Sequence, residues 1–314
     1  MFGMRQAHLP SALLIHSCQK LIAGFLLLAA VTAASAKEPF QKVTWAPRSI
    51  TVGAPCLFKI EMSAVPSSLE GKWQGRDLTF FSSGREHIWY GLAGVDVEAK
   101  PASYPLELDA TMPDGRVLHE VREIQVRPSA YKTVKLNVPE RFVQPGPEAL
   151  KKIELDRELK KAAFSHQTPA PEWSGPFHLP MDSTVSEAFG TRRTFNGKLA
   201  SIHRGVDYHA KAGTPVLAAN NGTVVLAQEL YYEGNCVIID HGQQFMTLYM
   251  HLSRLDVTEG EKVTEGQRIG LSGATGRVTG SHLHVAVRWQ GAYLDPTELW
   301  SLQLPVLQQA SGSN

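Results

Sequence analysis

Residues 279–287 read TGSHLHVAV, two histidines one residue apart inside a strand-like run. Side chains of a strand alternate between its two faces. His282 and His284 therefore share one side, and Leu283, Val285 and Val287 point to the other, towards a core. The stretch mounts two imidazoles side by side on a rigid support. Such a pair can bind metal or move protons, but it needs partners from elsewhere in the chain.

Those partners lie close by in sequence. Of the 12 histidines, six fall between positions 203 and 284. His203 and Asp207 stand four apart in HRGVD, and His251 stands in YMHLS. The spacing of four suits a helix face, but Gly205 and the following AGTPV favour a loop running into a strand. Zinc takes imidazole and carboxylate ligands in a tetrahedron, and a catalytic site uses three protein ligands with one position left open. His203, Asp207 and one member of the 282/284 pair supply that set. His251 and the other member then stay free for proton or oxyanion work, since imidazole titrates near neutral pH. The residues alone do not assign which of His282 and His284 is the ligand. No H-E-x-x-H helix is present, and the absence of C-x-x-C rules out a cysteine-rich zinc site.

Around this cluster, residues 172 to about 302 are β-rich and glycine-rich, with strand patterns in GTPVLAANNGTVVLAQEL, GNCVIIDHG, FMTLYMHLS and KVTEGQRIGLSG. No βαβ alternation occurs, so an antiparallel or barrel-like β domain is expected. Residues 303–314 read as a tail. Upstream, residues 37–138 carry short strand patterns separated by Pro101, Ser83-Gly84 and Pro113-Asp114-Gly115, the last a hairpin signal; a β-sandwich is expected. Its histidines, His87 and His119, stand alone. Residues 139–171 form a linker with a helix from Glu148 onwards, Pro147 suiting its first turn. Glu148 with Lys152 and Asp156 with Lys160 are acid-before-base pairs, Leu155, Leu159 and Ala162 share a face, and the charged side is expected to face solvent.

The 314 residues carry a net charge of +1, with 43% hydrophobic and 19% charged residues. This globular balance gives no support for a nucleic-acid partner or a polybasic membrane anchor. Lys20 precedes LIAGFLLLAAVTAASA, an apolar run of signal-peptide length ending in Ala34-Ser35-Ala36. Residues 1–36 are expected to be a signal peptide cleaved after Ala36, leaving an exported protein of the periplasm or cell envelope without a permanent membrane anchor. Cys56 and Cys236 follow it, and both a bridge and two isolated buried thiols are open.

The segments FGTRR (189–193), HRGVDYHAKAGTPVLAANNGTVV (203–225), GNCVIIDHG (234–242), LYMHLS (248–253) and VTEGEKVTEGQRIGLSGATGRVTGSHLHVAV (257–287) together resemble the lysostaphin-type (LytM-type) zinc endopeptidases that cut peptidoglycan cross-links. The resemblance covers roughly residues 172–300. It implies His203, Asp207 and His284 as ligands of Zn2+, and His251 and His282 as catalytic residues; the sequence does not divide the base and oxyanion roles between these two, and the expectation adopted is His282 as base with His251 steadying the tetrahedral intermediate. It further implies peptidoglycan stem peptides or cross-bridges as substrate, with a D,D cross-link expected for a periplasmic wall. Tyr208, Asn235 and Arg193 are expected substrate contacts, and His209 and His241 are expected to be peripheral or structural. Degenerate relatives that have lost ligands act only as activators of other hydrolases, and a non-enzymatic wall-binding activator is the alternative; all five site positions are intact here. A carrier domain, suggested by the paired glycine turns of VTEGEKVTEGQRIG, lacks the lysine at a hairpin tip that it would need.

Overall fold

The computed structural model describes residues 38–136, 145–195 and 198–307. The signal segment expected over 1–36 lies outside the described residues. Among the described residues no helix is long and apolar enough to cross a membrane. The described residues are mainly β, with two helices.

The amino-terminal part contributes β1 (Phe40–Ala46), β2 (Ile50–Thr51), β3 (Pro55–Met62), β4 (Ser68–Trp73), β5 (Arg76–Thr79), β6 (Phe81–Ser82), β7 (Ile88–Gly94), β8 (Ala102–Thr111) and β9 (Val117–Arg127). They form two sheets, β1-β3-β7-β6 and β2-β9-β8-β4-β5. Alternation builds both inner faces: Phe58 and Ile60 of β3 meet Leu69 and Trp73 of β4 and Leu106, Leu108 and Ala110 of β8, all buried. Phe58 and Trp73 pack edge to face at 5.2 Å, and the indole N–H of Trp73 donates to the Gly94 carbonyl at 3.0 Å, so this core indole leaves no polar atom orphaned. The β8–β9 hairpin turns at the Pro113-Asp114-Gly115 stretch, where Gly115 adopts φ +83°.

Next come β10 (Thr133–Leu136) and helix α1 (Pro147–Phe164), then β11 (Val185–Glu187), β12 (Arg192–Phe195), β13 (Lys198–Ile202), β14 (Val206–His209), β15 (Pro215–Leu217), β16 (Gly222–Leu230), β17 (Gly234–Asp240), β18 (Phe245–Leu252), β19 (Arg254–Leu255), β20 (Lys262–Val263), β21 (Arg268–Leu271), β22 (His282–Trp289), β23 (Ala292–Leu294) and α2 (Pro296–Ser301). The main sheet runs β11-β14-β22-β18-β17-β16-β20, with β23 beside β22. Every pairing in it is antiparallel. One face, with Val206, Tyr208, Tyr249, Leu283, Val285 and Val287, packs on Trp173, Phe177 and Phe245, in a core continuous with that of the amino-terminal sheets. The opposite face carries Ala286, Ile238 and Leu226, which cluster with Ala163 of α1.

Helix α1 corrects one expectation. Its leucines point outward, Leu155 being 64% exposed, while Asp156 is 3% exposed. The stripe with Asp156, Lys160 and Ala163 faces the sheet, while Glu148, Lys151, Glu154, Arg157 and Lys161 lie in solvent. Asp156 pairs with Lys152 rather than Lys160, Lys160 reaches across to Glu233, and Glu148 pairs with Lys151. Helical periodicity defines faces but not which face is covered, and here the Tyr231 N–H, which donates to Asp156, and the Glu229 carbonyl, which accepts from Lys152, recruit the polar stripe. Beyond α2, Leu304 is buried and the Leu307 N–H donates to the Ser174 carbonyl at 3.0 Å, so the start of the stretch read as a tail is packed. Cys56 and Cys236 are both free and buried, and burial pushes both thiols well above their ordinary range.

Candidate metal centre

In the β14–β22 ladder Asp207 pairs with His284 and His209 with His282. Directly opposed residues share a face, so this register alone puts Asp207, His282 and His284 on one side of the sheet. His203 enters from the turn just before β14. Its Nδ1–H donates to the Ala188 carbonyl at 3.0 Å, which orients the ring and aims Nε2 at the cluster. That nitrogen lies 3.2 Å from Asp207 Oδ1 and 3.1 Å from His284 Nδ1, and His284 Nδ1 lies 2.7 Å from Asp207 Oδ1. Gly205 makes room for the third member: a Cβ there would stand 2.4 Å from His284 Nε2 and 2.5 Å from the Val285 carbonyl.

Three donors converge on one point. In a tetrahedral zinc site with ligands at roughly 2.0 to 2.2 Å, neighbouring donors stand about 3.3 to 3.6 Å apart. The triangle is slightly tighter, as hydrogen-bonded ligands are without an ion between them, and side-chain shifts of under about 1 Å open it to that size. Two neutral imidazoles and one carboxylate are the donor types zinc prefers, so the residues fit a divalent metal. Electrostatics agree. Burial disfavours the charge of Asp207, yet hydrogen bonds from His203 and His284 outweigh it and hold the carboxyl well below the usual carboxylate range. Burial also pulls the His284 imidazole down, aided by the neighbouring His203 and His282. For His203, burial is outweighed by the Asp207 hydrogen bond and charge, and the ring is shifted up.

His251 and His282 stand beside the triangle, their rings 4.8 Å apart. Each Nδ1–H donates to a backbone carbonyl, His251 to Thr275 at 2.9 Å and His282 to Gly280 at 2.9 Å. Both therefore present a bare Nε2, and that of His282 lies 3.9 Å from Asp207 Oδ1. Burial lowers His251 to about 4, so it is neutral near pH 7. Sequence reasoning did not foresee how His251 arrives. Met250, not His251, is the partner of His284 in the β18–β22 ladder. Between the pairs Asn235–Leu252 and Val237–Tyr249, two residues of β18 oppose one of β17. This bulge, with His251 at φ +64°, breaks the alternation and swings the ring to the site.

A scan of family models matches residues 201–296 to Peptidase family M23. The catalytic domain of lysostaphin from Staphylococcus simulans is 31% identical, covering 38% of this chain and 94% of that domain, with a TM-score of 0.35.

Residues 201–296 are a Peptidase family M23 domain.

Other M23-related proteins extend the comparison. Peptidoglycan DD-endopeptidase ShyA of Vibrio cholerae is 48% identical over 108 residues, 33% of this chain and 25% of ShyA. Peptidoglycan DD-endopeptidase ShyC of the same organism is 40% identical over 136 residues, 42% of this chain and 30% of ShyC. The chain thus matches less than a third of the length of these relatives. A crystal structure of a candidate M23 peptidase from Pseudomonas aeruginosa covers 80% of this chain and 94% of its own, at 26% identity and a TM-score of 0.59.

The remaining expected residues of this M23 site fall in different places. Arg193 makes a two-pronged ion pair with Glu187, whose own backbone pairs with Asp207 across β11–β14. Asn235 donates from Nδ2 to the Leu252 carbonyl at 3.0 Å, and its backbone N–H donates to Thr275 Oγ1 at 2.9 Å, so it braces the loop that holds His251. Tyr208 is a correction: it is 1% exposed and its hydroxyl accepts from Trp300 Nε1 at 2.8 Å. The alternation that aims Asp207 at the site turns Tyr208 into the core, away from any substrate. His209 is exposed, and His241 is buried between the Asn221 carbonyl and the Thr247 hydroxyl. Ala188, Glu187 and Thr275 went unnoticed in the sequence because two act through backbone atoms and the third through strand register.

Proposed function

We propose that this protein is a zinc-dependent endopeptidase that hydrolyses peptide cross-links of peptidoglycan, of the D,D type, in the cell envelope and specifically the periplasm. Residues 172–302 form its peptidase unit and residues 37–138 an accessory β-sandwich. The observation that carries the reading is the triangle of His203 Nε2, Asp207 Oδ1 and His284 Nδ1 with two imidazoles poised at its open side. The D,D assignment leans on the names of ShyA and ShyC.

His203, Asp207 and His284 would hold the zinc, which supplies Lewis acidity and lowers the pKa of water towards neutrality. The chain's own share of the chemistry is proton handling. His282 Nε2 is placed to accept a proton and return it to the leaving amine, its ring fixed by the Gly280 carbonyl. His251, kept neutral by burial and anchored at Thr275, is the second imidazole facing the reacting carbonyl. Asp207 keeps the buried site electrically balanced.

The test is release of peptides from purified sacculi, with mass analysis of the bond cut and zinc content measured in parallel. Release of D,D cleavage products by the zinc-loaded chain, lost in His251→Ala and His282→Ala variants that retain zinc, is the expected result. A folded, zinc-loaded protein that releases nothing, or variants whose cellular phenotype is unchanged, would leave the non-enzymatic activator as the better account.

A further inference from the structure

Helix α1 grips the turn that holds His251, and the grip is polar. Asp156, nearly fully buried, accepts from the Tyr231 backbone N–H at 2.6 Å. Lys152 donates to the Glu229 carbonyl at 3.1 Å. One turn further on, Lys160 pairs with Glu233, whose side chain is 14% exposed and whose second oxygen, Oε2, has no partner among the described residues. Three contacts thus bind one helix to residues 229–233, the end of β16 and its turn into β17.

The same turn is bound to His251 twice. The Glu233 carbonyl accepts the His251 backbone N–H at 2.8 Å. Gly234 crosses the 275–276 loop so closely that a Cβ on it would lie 2.3 Å from Thr275 Oγ1, and a Cβ on Gly276 would lie 2.3 Å from the Gly234 nitrogen. Thr275 in turn accepts the His251 Nδ1–H. On the far side, the Arg277 N–H donates to the Tyr232 carbonyl at 3.0 Å, and its guanidinium stacks 4.4 Å over the Tyr232 ring. Both the backbone and the ring of His251 are therefore referenced to residues 231–234.

A residue with a side chain held at φ +64° is an unfavourable conformer that persists only where its surroundings over-determine it. Here the surroundings are this turn, and the turn's other anchor is α1. A half-buried ion pair with a leftover unpartnered carboxylate oxygen is a poor way to gain stability, since desolvation offsets much of the attraction. It is a good way to fix one geometry.

We infer that Lys160 and Glu233 are positioning residues for His251, with α1 serving as the brace that sets the register of the His251-bearing bulge. The inference rests on the endopeptidase reading for its kinetic consequence but not for its structural one.

The full-length chain is compared with Lys160→Met, Lys160→Arg and, as a control on the exposed Glu148 pair, Lys151→Met. Hydrogen exchange of the His251 amide is read against that of the Leu283 and Val285 amides. On a cross-linked peptide from sacculi, kcat, KM and zinc content are measured. Lys160→Met is expected to lose at least about tenfold in protection at His251 alone. It should also lose about tenfold in kcat with KM within about twofold and zinc retained. Lys160→Arg should restore both, and Lys151→Met should change neither. Should Lys160→Met fail to fold, the isosteric Glu233→Gln carries the same two readouts. Unchanged His251 protection in a folded variant overturns the inference. A zinc-loaded wild type that cleaves nothing overturns the endopeptidase reading instead, and the exchange measurement still decides this one.

Discussion

Asp207 and His284 face each other across the β14–β22 ladder, with Asp207 Oδ1 2.7 Å from His284 Nδ1. The pair joins strand register to chemistry, because a slip of one residue in this ladder would send one partner into the core. Asp207 is also the only carboxylate in the donor triangle, and it stays ionised against burial because two imidazoles hydrogen-bond to it. Replacing Asp207 with Asn keeps the shape but removes the charge. Metal affinity should fall by more than about 100-fold, since loss even of a residue that only orients a ligand typically costs about 10 to 100-fold. Metal titration of the stripped protein measures this directly.

Gly205 offers a steric test of the same site. Its α-hydrogen faces His284, and the Cβ of Ala would sit 2.4 Å from His284 Nε2 with the Val285 backbone equally close. Neither neighbour can retreat without disturbing the ladder. Gly205→Ala should cost about 1–3 kcal/mol of stability and weaken metal binding together. Gly280→Ala, in the loop before His282, meets nothing within 4 Å and should do neither. Equal effects of the two substitutions in denaturant titrations would show that crowding at His284 is not the cause.

Tyr208 should matter to stability and not to turnover. Its hydroxyl accepts from Trp300 Nε1 within the packing of α2 on the sheet. Tyr208→Phe leaves that indole N–H without a partner, at about 1–3 kcal/mol. Peptide release per folded molecule should match the wild type, whereas a residue contacting substrate would change KM.

How much of this was legible beforehand differs from residue to residue. His282 and His284 were placed by strand alternation alone, and HRGVD announced a loop entering a strand because Gly205 breaks a helix. The sandwich was legible too, since β4 and β8 alternate cleanly. His251 was legible as a histidine of interest but not as a geometry. Its arrival depends on a bulge opposite Cys236 and a left-handed backbone, which are set by tertiary contacts of Glu233 and Thr275. The orientation of α1 was misread for a similar reason. Asp156 looked like a surface charge because its partner, the Tyr231 N–H, belongs to a turn 75 residues away.

The last prediction concerns pH and uses a histidine outside the site. His241 is fully buried, its ring edge-on to Phe177 at 4.9 Å and held between the Asn221 carbonyl and the Thr247 hydroxyl. Burial lowers it to about 4, from an ordinary value of 6.5. In the unfolded chain the ring takes a proton as pH falls below about 6.5, whereas the folded protein resists until about pH 4. The unfolded state therefore binds more protons in that window, so His241 contributes stability that is present above pH 6.5 and lost as pH falls towards 4. A tenfold change in proton affinity is worth about 1.4 kcal/mol, so the fall from 6.5 to about 4 amounts to roughly 3 kcal/mol. Denaturant unfolding of the metal-stripped protein at about pH 7.5 and about pH 4.5 should show the gap between wild type and His241→Gln shrinking by most of that amount. A gap that stays constant across the two pH values would mean that the ring already carries its proton in the folded state.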